Sequence, residues 1–102
     1  MTPEIIPELD PVIHSQVRLA VLSILIASES AEFGYLKERT GATDGNLSVH
    51  LTKLEKSDFV KIRKTFSGKK PLTTVSITEK GRKAFEKYLQ TLERIVRSGE
   101  TK

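Results

Sequence analysis

The sequence predicts a mainly α-helical fold with one small β-hairpin, and three observations carry that prediction. Leu47, Leu51 and Leu54 recur at i, i+4 and i+7, which places them in one narrow sector of a helix turning about 100° per residue. After Ser57 and Asp58 the period changes. The run Phe59 to Phe66 alternates with β-branched residues, Leu72 to Ile77 does so again, and Ser67-Gly68-Lys69-Lys70-Pro71 lies between them. Past Thr78 the helical period returns in Ala84, Phe85, Tyr88, Leu89, Leu92, Ile95 and Val96.

Taken in order, residues 1–9 hold Pro3 and Pro7 without a clear period and read as an extended arm that packs through Ile5, Ile6 and Leu9. Asp10 followed by Pro11 reads as a helix start, so a first helix is expected from about Pro11 to Ala27, breaking near Ser28 to Ala31. Its apolar residues cover more than one side, which predicts two buried faces, one of them against a second copy of the chain. A short second helix, Phe33 to Arg39, turns Phe33 and Leu36 inward and is ended by Gly41. Thr43 and Asp44 offer side-chain oxygens to cap a third helix over residues 43–57. Thr78 caps the last helix, with Glu79 in its first turn and Gly81 tolerated early, running to about Arg97 before a frayed end at 98–102. One domain, residues 10–97, is expected.

Two short helices joined by a tight, glycine-bearing turn make a helix-turn-helix pattern. In the second of them the leucine row faces inward. The opposite face carries Gly45, Val49, Thr52, Lys53 and Lys56, with Asn46 and Ser48 at its flanks. No bulky side chain stands near the start of that face, and a DNA major groove has the dimensions to receive a bare helix. Asn46 can pair bidentately with adenine and Asp44 can accept from cytosine, although capping is the simpler role for Asp44. His50 sits at the edge of the leucine row, where a structural hydrogen bond competes with a DNA contact. The hairpin supplies a basic tip.

The 102 residues support one small core; 37% are hydrophobic and 29% charged, with a formal net charge of +4 and a pI near 9.5. That charge permits nucleic acid as a partner, and its distribution says more than its sum. Glu4, Glu8 and Asp10 crowd the N-terminal end, whereas Lys61, Arg63, Lys64, Lys69 and Lys70 fall in a stretch without an acid. Absence of cysteine excludes disulfides, thiolate metal sites and thiol nucleophiles. The apolar run Leu19 to Ala27 is far short of the roughly 20 residues a bilayer requires, and the acidic, proline-rich start is unlike a signal peptide; a cytoplasmic protein is expected. No nucleophile with a base, glycine-rich phosphate loop or metal constellation is visible, so no enzyme, cofactor or metal is expected.

The order helix, helix, recognition helix, basic hairpin, helix is that of a winged helix-turn-helix domain. HSQVRLAVLSIL at 14–25, TGATDGNLSVHLTKLEKSDFVKI at 40–62 and TTVSITEKGRKAFEKYL at 73–89 resemble the small winged-helix transcriptional regulators of bacteria and archaea, in the broad group around the MarR and ArsR families. The resemblance implies that Thr43, Asp44, Gly45, Asn46, Ser48, Val49 and Lys53, with His50 at the edge, approach the major groove. It also implies that the wing, through Arg63, Lys64, Ser67, Lys69 and Lys70, meets phosphates or an adjacent minor groove. Dimerisation through the first and last helices follows from it, with Val12, Ile13, Val17, Phe85, Tyr88, Leu92, Ile95 and Val96 as the expected interface. ArsR-type metal sensing is not expected, because only His14 and His50 are at hand.

The leading expectation is a sequence-specific, homodimeric regulator of transcription, a repressor on a palindromic site. The competing one is a winged-helix protein-interaction module in a larger assembly, which should expose large apolar anchors on the outer face of the third helix; Val49 is the sole candidate there. A small-molecule effector has room between the first and last helices, and no residue pattern identifies it.

Overall fold

Ser15, not Asp10, starts the first long helix. In a computed structural model describing residues 7–99, α1 spans Gln16–Ser28 and the Ser15 hydroxyl accepts from the Arg18 N–H at 3.4 Å. Asp10 instead builds an isolated turn ahead of it. Its carboxylate accepts from Val12 N–H at 2.9 Å, and its carbonyl from Ile13 and His14 N–H at 3.1 and 2.8 Å. The expected packing of Ile5 and Ile6 lies outside the described residues; Leu9 does pack on the core.

The chain continues as β1 (Ser30–Glu32), α2 (Phe33–Thr40), α3 (Asp44–Lys56), β2 (Val60–Ser67), β3 (Lys70–Ile77) and α4 (Glu79–Gly99). The hairpin belongs to a three-stranded antiparallel sheet in the order β1-β3-β2, with Ala31 opposite Val75 and Ile62 opposite Val75 from the other side. Ser-Ala-Glu has little strand propensity; β1 exists because β3 offers it an edge. The chain reaches that edge through Glu29, which ends α1 with φ +69° and whose carbonyl accepts from Ile77 N–H at 3.1 Å.

One core joins every layer: Ile13, Val21, Leu22 and Leu25 from the N-terminal side, Leu36 from α2, the leucine row of α3, Phe59, Val60 and Val75 from the sheet, and Phe85 and Tyr88 from α4. The second side of α1 is covered only in part, Leu19, Ile24 and Ile26 being half-buried. Thr78 caps α4 as expected, accepting from Gly81 N–H at 2.9 Å while its own hydroxyl donates to the Asp58 carbonyl at 2.6 Å. At 21 residues α4 is about 31 Å long, and no described residue beyond Tyr88 is fully buried in it. No helix among the described residues is long and apolar enough to cross a membrane.

Candidate nucleic-acid interface

The α2–α3 turn fixes the attitude of the third helix. Gly41 closes α2 in the left-handed region, φ +73°, and its N–H donates to the Lys37 carbonyl at 2.9 Å, a backbone conformation that glycine adopts without steric cost. The Thr40 hydroxyl accepts from Ala42 N–H at 3.3 Å and donates to the Leu36 carbonyl at 2.8 Å. Thr43 then caps α3, accepting from Asn46 N–H at 3.1 Å. Asp44 does no capping: it sits in the first turn, where its charge suits the helix dipole, and pairs with Lys37 at 2.9 Å across the turn. Both partners are largely exposed, so this pair contributes little stability.

Burial of Leu47, Leu51 and Leu54 turns the other side of α3 outward. Gly45, Asn46, Ser48, Val49, Thr52 and Lys53 are all exposed, Val49 to 65%. Beside this face stands the wing. A shallow groove between them is lined by Asp44, Ser48 and Thr52 of α3, Ile62, Lys64 and Thr73 of the hairpin, and Phe33. Lys61, Arg63, Lys64, Ser67, Lys69 and Lys70 are exposed, and among the described residues none of these cations makes an ion pair. The turn at the tip uses Gly68 at φ +66°. The arrangement is a bare, small-residue helix face next to a hairpin of unneutralised positive charge, which is able to take a polyanion with a groove.

His50 is committed elsewhere on one of its two nitrogens. Arg18 of α1, only 8% exposed, has no carboxylate partner among the described residues; its Nε donates to the Val12 carbonyl, one terminal nitrogen lies 3.4 Å from the Pro11 carbonyl, and the other lies 2.8 Å from His50 Nδ1. Because a guanidinium only donates, Nδ1 must accept, and the imidazole is neutral with its proton on Nε2. Arg18 thereby ties the turn before α1 to α3. Its signal in the sequence is a lone charge at the i−3, i−4 and i−7 position relative to Val21, Leu22 and Leu25, on the face that those residues bury. His14 makes a parallel tie, with Nδ1 2.9 Å from the Tyr88 hydroxyl of α4.

Burial, followed by the charges of Arg18 and Lys53, holds the His50 pKa below its ordinary value. The unfolded chain therefore binds the proton more readily than the folded one. The resulting stability is present above about pH 6.5 and is lost as pH falls from there through the depressed folded value. Melting followed at pH 7.5 and 5.5 should show the wild-type midpoint falling on the acid side by more than that of His50→Asn, whose amide oxygen accepts from Arg18 without titrating. Equal falls would remove His50 as the cause.

The expected dimer residues divide. Ile13, Phe85 and Tyr88 are buried in the core of their own chain, and the Tyr88 hydroxyl of α4 lies against His14 ahead of α1. Val12, Val17, Leu92 and Ile95 are half-buried, and Val96 is 58% exposed. Leu89, at 46% exposed, lines a shallow groove on α4 with Leu92 and Val96. A groove of about 580 Å³ separates α4 from the N-terminal turn, floored by Leu9, Phe59 and Tyr88 and rimmed by Lys80, Lys83 and Lys87.

Comparison with known proteins agrees with this geometry. The chain is 44% identical over 78 residues to an uncharacterized protein of Methanocaldococcus jannaschii, covering 76% of this chain and 85% of that one. It superposes on a transcriptional regulator homologue from Pyrococcus horikoshii with a TM-score of 0.82 and 27% identity, over 88% of this chain and 89% of the other. A MarR family regulator from Silicibacter pomeroyi shares the fold, with a TM-score of 0.61 and 21% identity over 87% of this chain and 57% of its own. The profile of a family of DNA-binding domains, not of enzymes, spans α1 to the far end of α4, matching residues 17–96. With its helix-turn-helix, its basic hairpin and its last helix all inside that match, the chain belongs to the winged helix DNA-binding domain family.

Proposed function

We propose that this protein is a sequence-specific, homodimeric transcriptional regulator in the cytoplasm, repressing by covering a roughly palindromic promoter site. The observation that carries the reading is the exposed face Gly45, Asn46, Ser48 and Val49 beside hairpin cations that make no ion pair among the described residues. With α3 in the major groove, Asn46 reads a base edge and Lys53 lies toward the phosphates, while Lys64, Lys69 and Lys70 neutralise backbone beside the groove. The apolar stripe Leu89, Leu92, Ile95 and Val96, which nothing among the described residues fully covers, pairs with that of a second copy. Two recognition helices then fall about one helical turn apart, and the site acquires the symmetry of the dimer. A protein-interaction module would need several large apolar anchors on the outer side of α3, and only Val49 is of that kind.

Selection of binding sites from a random duplex pool, with sedimentation to count subunits, tests the reading. Recovery of a two-fold site bound by a dimer supports it; a folded monomer that enriches nothing overturns it. On the selected site Asn46→Ala should relax preference at one base position by about 1–3 kcal/mol. An equal loss on selected and random duplexes would remove Asn46 as a base reader.

A further inference from the structure

Beyond the cations, the hairpin tip carries apolar surface. Residues directly opposite in an antiparallel pair point to the same side of the sheet, and successive pairs two residues apart share that side. Val60 and Ile77, Ile62 and Val75, Lys64 and Thr73, and Phe66 and Pro71 therefore form one ladder. Its lower rungs are core: Val60 and Val75 are buried. Its third rung, Lys64 and Thr73, lines the groove against α3. The last rung is apolar again and stands free. Phe66 is 73% exposed, the most exposed large hydrophobic side chain among the described residues, and Pro71 is exposed beside it.

Cross-strand packing on Pro71 does not account for this ring, since nearly three quarters of it remains in water. Position and surroundings give it a different use. It lies about 13 Å along the strand from Ile62, on the side of the sheet that faces the recognition helix. Lys64 is one rung away on the same side, Lys69 and Lys70 stand at the adjoining turn, and no acidic residue occurs between Asp58 and Glu79. Cations on both sides of an apolar tip match two rows of phosphate on either side of a groove walled by deoxyribose.

Resting on the DNA-binding reading above, we propose that Phe66, backed by Pro71, is an apolar wedge that enters the minor groove next to the major groove held by α3. There the ring presses on the sugar walls and partly unstacks one base step, bending the duplex toward the protein. A phenyl ring has no hydrogen bond to offer a base edge. Its selectivity is therefore for steps that open at low cost, the pyrimidine–purine steps TA and CA/TG, at a position the recognition helix never touches.

The test compares Phe66→Ala, Phe66→Leu, Thr65→Ala on the opposite side of the same strand, and Lys69→Ala. Affinity for a selected duplex is measured at two salt concentrations, and bending by energy transfer between dyes at the duplex ends. Phe66→Ala should bind about tenfold more weakly with an unchanged salt slope and a smaller bend. Phe66→Leu should keep most of both, Thr65→Ala all of both, and Lys69→Ala should lower the slope by about 0.9 for each wing engaged. Wild-type affinity and bend in Phe66→Ala would overturn the wedge while leaving DNA binding intact, as would a loss accompanied by a lower salt slope, which would make the ring a mere prop for the lysines. A wild-type protein that binds no duplex at all would remove the DNA reading, and the wedge with it.

Discussion

Replacing Lys64, Lys69 and Lys70 together with alanine is expected to weaken binding to any duplex about 100-fold for each wing engaged, at about 0.15 M salt. Each phosphate neutralised releases about 0.9 counterion, which at that concentration is worth about 0.7 log unit of affinity, so three contacts reach about two logs. The salt slope should flatten by about 2.7 per wing, and the loss should be nearly the same on specific and random sequences, because phosphate contacts position the protein without reading bases. Stability should hardly change. The three side chains are exposed and make no ion pair among the described residues, and relieving repulsion between neighbouring cations acts in the stabilising direction. Anisotropy titrations of the triple variant and wild type, on selected and random duplexes, check this. A loss confined to the selected site would contradict the assignment of these lysines to backbone.

Gly81→Ala is expected to give the largest loss of stability. Helix propensity alone predicts a gain, since alanine is favoured over glycine inside a helix by about 1 kcal/mol. Geometry decides otherwise. A Cβ at Gly81 would lie 2.1 Å from the Phe59 carbonyl oxygen and 2.9 Å from its carbon, both backbone atoms that cannot swing aside. The same carbonyl accepts from Thr78 N–H at 3.0 Å, so shifting it also loosens the cap of α4. Overpacking of this kind costs about 3 kcal/mol, leaving a net loss of about 2 kcal/mol, or about 8–16 °C in midpoint for a chain of this size. Gly99→Ala, where nothing lies within 4 Å, is the matched control. A midpoint for Gly81→Ala equal to or above wild type in calorimetry would refute the close approach.

Much of this is legible in the sequence because local chemistry and the final fold agree. The leucine row of α3, the Thr43 and Thr78 caps and the Gly41 stop each act within a few residues, and each stands where the pattern places it. What the sequence conceals depends on partners distant along the chain. Asp10-Pro11 carries a genuine helix-start signal, yet Arg18 draws the Pro11 and Val12 carbonyls into its own hydrogen bonds, and the helix begins at Ser15 instead. Strand β1 has no propensity of its own and is made by pairing with β3, more than 40 residues later. Gly81 reads as merely tolerated because Phe59 touches it only in three dimensions. The stripe of α4 shows its period and hides its division: Phe85 and Tyr88 are buried in the chain's own core, Leu92 is packed only partly against it, and Leu89 and Val96 are exposed.

The most direct measurement of the central claim is a fluorescence-anisotropy titration of duplex DNA by the intact protein at about 50 and 200 mM salt. A folded protein that binds at the lower concentration and loses affinity steeply at the higher is the predicted result, since the contacts proposed for α3 and the wing neutralise phosphate. A folded protein that binds no duplex at the lower salt, or binds equally at both, would contradict it.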